Sequence, residues 1–208
     1  MFKFLKNIFK IGRGAYFGST NYELKNFFCG FGKCIIDNEK IIISAYKFKP
    51  SKAYPTITLS KEQITSITIE ANPIQVNYKN DWIFIAVEHK EQLQKFIEKN
   101  NIAISNKNWV WDDILYPFLD TEFTDKEKEN TLKRLKEKGI SKAEAATIRN
   151  KVAKQMYKYN FDTMLWEWCT LGLSDVLQAM RVKYSEEEFI AFYNEAMMIE
   201  NKRPDNQT

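Results

Sequence analysis

Between residues 27 and 100 the apolar positions come in short runs that read as strands: FFCGFGKCIID, EKIIISAYKF, PTITL, EQITSITIE, PIQVNY and DWIFIAVE. Turn-forming residues separate them at Asp37-Asn38, Pro50-Ser51, Asn72-Pro73 and Asn80-Asp81, and strand-favouring residues fill them. The run Ile41-Ile42-Ile43 predicts a strand buried on both sides at its centre. The imperfect alternation of Ile64, Ile67 and Ile69 predicts a bulge near Thr65-Ser66. In DWIFIAVE, Trp82, Phe84 and Ala86 share one face and Ile83, Ile85 and Val87 the other. Gly30 and Gly32 inside the first run predict a bend. The period then changes. Leu93, Phe96 and Ile97 recur at i, i+3, i+4, which predicts a helix over 89–100 whose apolar stripe covers the open end of the sheet.

From Ile102 onward the pattern is helical. Thr124-x-x-Glu127, Ser141-x-x-Glu144 and Ser185-x-x-Glu188 are capping boxes, and Ser174-Asp175 is a fourth helix start. Gly139 is placed to end a helix in the left-handed conformation. The expected helices lie near 110–119, 125–138, 142–159, 163–171, 174–183 and 186–201, with Pro117 limiting the first. At the N-terminus, Phe2, Leu5, Ile8 and Phe9 fall on one helical face and Lys3, Lys6 and Lys10 largely on the other. Such a helix packs on the protein's own core, touches a partner, or makes weak contact with a membrane surface. The fold class that follows is α+β: an amphipathic helix over 1–15, a curled antiparallel β domain over 16–102 closed by its helix, a helical bundle over 106–201, and a polar tail over 202–208 expected to be disordered.

The Gly32-Lys33 opening, IIIS at 41–44, PTITLSKEQITSI at 55–67 and the closing helix with Leu93, Phe96 and Ile97 resemble the pleckstrin-homology-like superfold, in particular bacterial PH-like and GRAM-type domains. The resemblance covers 16–102 and does not extend into the helical part. It implies a small barrel closed by a C-terminal helix, one strand more than the six runs above (placed in 16–26), and an adaptor role toward lipid or protein.

Composition changes this picture little. The 208 residues are 44% hydrophobic and 28% charged, ordinary for a globular protein. Charge is uneven: the first 52 residues hold 10 Lys/Arg against 3 Asp/Glu, a balance that suits an anionic partner or a lysine-rich solvated surface. The 3 cysteines, Cys29, Cys34 and Cys169, do not form a disulfide framework. Cys29 and Cys34, five apart in an expected strand, would point to opposite faces. Lysines interrupt every apolar run near the N-terminus, which argues against a signal peptide, and a cytoplasmic setting, possible membrane-peripheral contact included, is the expectation.

Candidate chemistry is sparse. His89 is the only histidine and sits at a helix start. Asp112, Asp113, Asp120, Glu122 and Asp125 cluster among Trp109, Trp111, Tyr116, Phe118 and Phe123, where carboxylates from two elements would suit Mg²⁺ or Ca²⁺ in a metal-assisted hydrolase, although an EF-hand spacing is lacking. Trp109, Trp111, Trp166 and Trp168 read as packing between helices, with a protein-contact patch next; the acids beside them disfavour nucleic acid. Arg149, Lys151, Lys154 and Lys158 form a basic side of one helix. No catalytic, cofactor-binding or metal residue is assigned, no cofactor is implied, and the expectation is a non-enzymatic binding or adaptor protein with a protein partner.

Overall fold

The computed structural model describes residues 26–119, 124–163 and 170–203. The N-terminal segment with Phe2, Leu5, Ile8 and Phe9, the strand expected in 16–26, Asp120, Glu122, Trp166, Trp168, Cys169, most of the helix expected over 163–171 and residues 204–208 of the tail lie outside them. Among the described residues the chain is α+β. Strands β1 (Lys33–Ile36), β2 (Lys40–Ser44) and β3 (Thr56–Ser60) form one antiparallel sheet, and β4 (Ser66–Thr68), β5 (Ile74–Tyr78) and β6 (Asp81–Ile85) form a second. The helices are α1 (Lys90–Asn100), α2 (Val110–Leu115), α3 (Asp125–Glu137), α4 (Lys142–Thr163), α5 (Leu173–Lys183) and α6 (Glu186–Glu200). The described strands do not close a barrel, since neither sheet pairs with the other.

Local chemistry sets the hairpins. The Asp37 carboxylate accepts from the backbone N–H of Glu39 (2.8 Å) and Lys40 (2.9 Å), an Asx turn that brings Ile36 opposite Ile41. Lys79 and Asn80, at φ 51° and 63°, make the two-residue turn that pairs Tyr78 with Asp81. Gly32 sits at φ +81°, where a Cβ would lie 2.4 Å from the Ser44 carbonyl oxygen, so only glycine allows the chain to cross there.

Three expectations are corrected. Ile41 and Ile43 are buried but Ile42 is half-buried, because β2 alternates with one face toward the core. The strand expected from FFCGFGKCIID is only Lys33–Ile36, the positive φ of Gly30 and Gly32 keeping Cys29 out of it. At the start of EQITSITIE, Glu62 and Gln63 belong to a 3₁₀ turn (Lys61–Gln63) instead of strand, leaving β4 three residues long.

The second sheet is covered on both faces. Ile67, Ile74, Val76, Ile83 and Ile85 occupy one face, and Leu93, Phe96 and Ile97 of α1 are buried as the spacing predicts. The other face carries Ser66, Thr68, Gln75, Asn77, Trp82 and Phe84 by register. It would be solvated in an isolated sheet, yet Thr68, Gln75, Asn77, Trp82 and Phe84 are all buried. The indole N–H of Trp82 donates to Asn201 Oδ1 (3.1 Å), just past α6. The Phe84 ring packs on Phe48 (5.8 Å between centroids), and Phe48 on Phe189 (6.3 Å) and Tyr193 (6.2 Å) of α6.

Helix starts follow three of the four signals; α5 instead begins at Leu173 with Gly172 as its N-cap, leaving Ser174 buried within its first turn. Thr124–Glu127 and Ser185–Glu188 are reciprocal boxes. Ser141 Oγ accepts from Glu144 N–H (3.1 Å), but the Glu144 carboxylate turns to Lys202 (2.7 Å). Gly139, at φ +76°, ends α3. Pro117 confines α2 to six residues before a 3₁₀ turn. The carbonyls this leaves open are taken by Arg149, which donates to Ile114 O (3.0 Å) and Asp113 O (2.9 Å).

Candidate functional site

The acidic group divides between different cations. Asp113 is buried and held by the Arg134 guanidinium, whose Nε lies 3.0 and 2.9 Å from the two carboxylate oxygens. Asp112 turns the other way, to Lys107 Nζ at 2.5 Å. Asp125 lies in the first turn of α3, where the helix dipole favours it, beside Lys128 (3.4 Å). No three His, Cys, Asp or Glu side chains gather as metal ligands among the described residues. His89 sits at the start of α1, its Nδ1 3.4 Å from Gln92 Oε1. The basic side of α4 is also divided: Arg149 points inward to α2, and Lys151 pairs with Glu195 while lying over the Phe192 ring.

Two acids, Asp112 and Glu200, instead share one cleft. The β4–β5 loop (Ala71, Asn72, Pro73), Gln75, the segment Lys107–Asn108, Asp112, Gly172–Ser174 and Glu200 enclose a narrow cleft. Its free space suits a group about the size of one water molecule. Asp175, just behind it, is fully engaged: its carboxylate accepts from Gly172 N–H (2.8 Å) and from the Tyr159 hydroxyl (3.0 Å), capping α5. A Cβ on Gly172 would touch Asp112 Oδ2 at 3.5 Å and Asp175 Oδ2 at 3.9 Å, so both acids abut one glycine. Burial raises Asp112, against the pull of Lys107. Burial, reinforced by the Asp112 charge, pushes Asp175 up to about 6 and Glu200 up to about 8.

Glu200 is the residue the sequence reading missed. It is 1% exposed, and its Oε2 meets no donor among the described residues. Asn108 lies beside it: the amide N–H donates to the Glu200 carbonyl (2.5 Å), while Asn108 Oδ1 is likewise buried without a donor. The signal was present, since Glu200 falls four residues after Ala196 and three after Met197, on the buried stripe of α6.

A second buried carboxylate is fully satisfied. Asp81 accepts from the Ser51 hydroxyl (2.7 Å), Lys52 N–H (2.8 Å) and the Tyr193 hydroxyl (2.7 Å). That network ties the 48–54 loop and the β5–β6 hairpin to α6 and is structural. Cys29 and Cys34 are free thiols; burial raises both, Cys34 to about 12, so neither is a reactive thiolate.

The aromatic residues separate by exposure. Trp111 is fully buried, its indole N–H donating to Ala196 O (3.2 Å), as packing between helices predicts. Trp109 is 51% exposed, with Lys107 Nζ 4.0 Å from its ring centroid. The Asn108–Glu200 bond holds the Trp109 segment against the end of α6, which carries Met198, 74% exposed. Ile104, 64% exposed, precedes Trp109 on the segment that pairs with β4 through Ile67. No described helix is long and apolar enough to cross a membrane. Compared with known proteins, the chain matches no family model, no curated protein and no solved structure.

Proposed function

We propose that this chain is a non-catalytic, cytoplasmic adaptor in which a PH-like platform (16–102) and a helical unit (106–201) present a shared surface to a protein partner. The observation that carries this reading is the exposure of Trp109, on the segment that joins the two parts, and of Met198 near the end of α6. Large exposed side chains of this kind are over-represented at binding hot spots, tryptophan for its rigid area and methionine for its adaptability. Two three-stranded antiparallel meanders followed by a covering helix, α1, support the PH-like reading of the platform.

The test is affinity purification from the native host with the wild type and with a Trp109→Ala/Met198→Ser variant of equal melting temperature. A protein retained by the first, lost by the second, and rebound from purified components supports the proposal. Partners that bind both equally would overturn the assignment of this surface. Saturable turnover of a substrate by the purified chain would overturn the adaptor reading itself.

A further inference from the structure

We infer that the cleft between the second sheet and helices α2, α5 and α6 is a binding site for a primary ammonium group, with Glu200 as its anionic ligand. The inference rests on what the cleft's acceptors lack. Asp112 already holds Lys107 and Asp175 holds two donors. Glu200 Oε2 and Asn108 Oδ1, both buried in the cleft wall, accept from no described donor. Orphaned acceptors in so enclosed a place are unfavourable, and Thr170, Ser174 and Gln75 line the same space. A primary ammonium carries three N–H donors and matches the water-sized space. Its alkyl stem leaves past Asn72 and Thr170, the exposed rim residues. A divalent ion is a poor fit, because three acidic or imidazole ligands do not gather here among the described residues.

The site exchanges a proton for the cation. Glu200 faces Asp112 and Lys107 from α2 and its leading segment, with Arg203 and Lys138 also acting on it. Below about pH 8 the carboxyl is protonated, so binding an ammonium releases one proton and leaves the net charge of the cleft unchanged. Affinity therefore rises about tenfold per pH unit up to that value and then levels.

The full chain is titrated calorimetrically with ethylammonium, with N-acetyl-lysinamide and with tetramethylammonium at constant ionic strength, between pH 6 and 9. The expected result is saturable binding of one or both primary amines with proton release, none of tetramethylammonium, and loss in Glu200→Gln. Gly172→Ala, which sets a methyl against Asp112 and Asp175 at ordinary contact distance, weakens binding while all the acids remain. Binding of N-acetyl-lysinamide alone assigns the site to a lysine side chain, and binding of ethylammonium alone to a free amine. Absence of binding by both at pH 9, binding independent of pH, or an unchanged affinity in a folded Glu200→Gln protein would overturn the inference, and none of these results bears on whether Trp109 and Met198 recruit a partner.

Discussion

Replacing Glu200 with glutamine is expected to stabilise this protein, by an amount that grows with pH. The carboxyl is pushed from its ordinary value of 4.5 to about 8 on folding, chiefly by burial. Below about pH 4.5 it is neutral in both folded and unfolded chains and adds no pH dependence. Between 4.5 and 8 the folded chain keeps a proton that the unfolded chain has lost, so stability falls as pH rises. Every tenfold difference in proton affinity between the two states corresponds to about 1.4 kcal/mol, which puts the loss at about 3 kcal/mol at pH 7 and between about 4 and 5 kcal/mol above pH 8 as upper bounds. Glutamine has the same shape and no charge, so it escapes this loss. For a chain of this size about 1 kcal/mol moves the melting temperature by about 2–4 °C. Thermal melts followed by circular dichroism at pH 5, 7 and 8.5 are the assay. Wild type and variant should nearly coincide at pH 5 and separate progressively, the variant melting higher. Parallel melting curves across that range, or a variant less stable at pH 8.5, would refute the reasoning.

Other substitutions probe the frame around the cleft. Gly32→Ala meets the Ser44 carbonyl at a positive φ and is expected to cost about 2 kcal/mol or more in urea denaturation, while Gly30→Ala, with open space around its Cβ, costs about 1 kcal/mol. Tyr193→Phe removes one donor from buried Asp81 and costs about 1–3 kcal/mol, and a double-mutant cycle with Ser51→Ala returns a coupling above about 0.5 kcal/mol. Trp111→Ala opens a core cavity at about 3–5 kcal/mol, whereas Trp109→Ala stays within about 0.5 kcal/mol and reads out only in partner binding.

The local architecture was readable wherever local chemistry governs it. Strand-favouring runs between turn residues located the six described strands, and the serine and threonine boxes located the starts of α3, α4 and α6, because those signals act over a few residues. Ile42 and Cys29 were misread for lack of tertiary information: a triple isoleucine does not say which face is covered, and the reach of a strand past two glycines depends on their φ. The cleft was less visible still. Asp112, Asp175 and Glu200 lie on three helices and meet only through packing, and Asp112 and Asp113, adjacent in sequence and read as one acidic group, serve opposite partners. Glu200 alone left a trace, a carboxyl on an apolar stripe.

The Asp81–Tyr193 hydrogen bond joins groups 112 residues apart, and this separation gives the protein a timetable during its synthesis. At a ribosomal rate of ~5–20 residues per second, the β5–β6 hairpin waits about 6–22 s before the tyrosine that completes it has been added. Through that interval Asp81 has the Ser51 and Lys52 donors but lacks the Tyr193 hydroxyl, and Phe84 has Phe48 beside it while the α6 side of the sheet stays uncovered. The nascent chain is thus most open to chaperones, and to mispairing with neighbouring chains, just before α6 is made. Docking of α6 then closes the sheet in a step that depends on distant residues and is correspondingly slow.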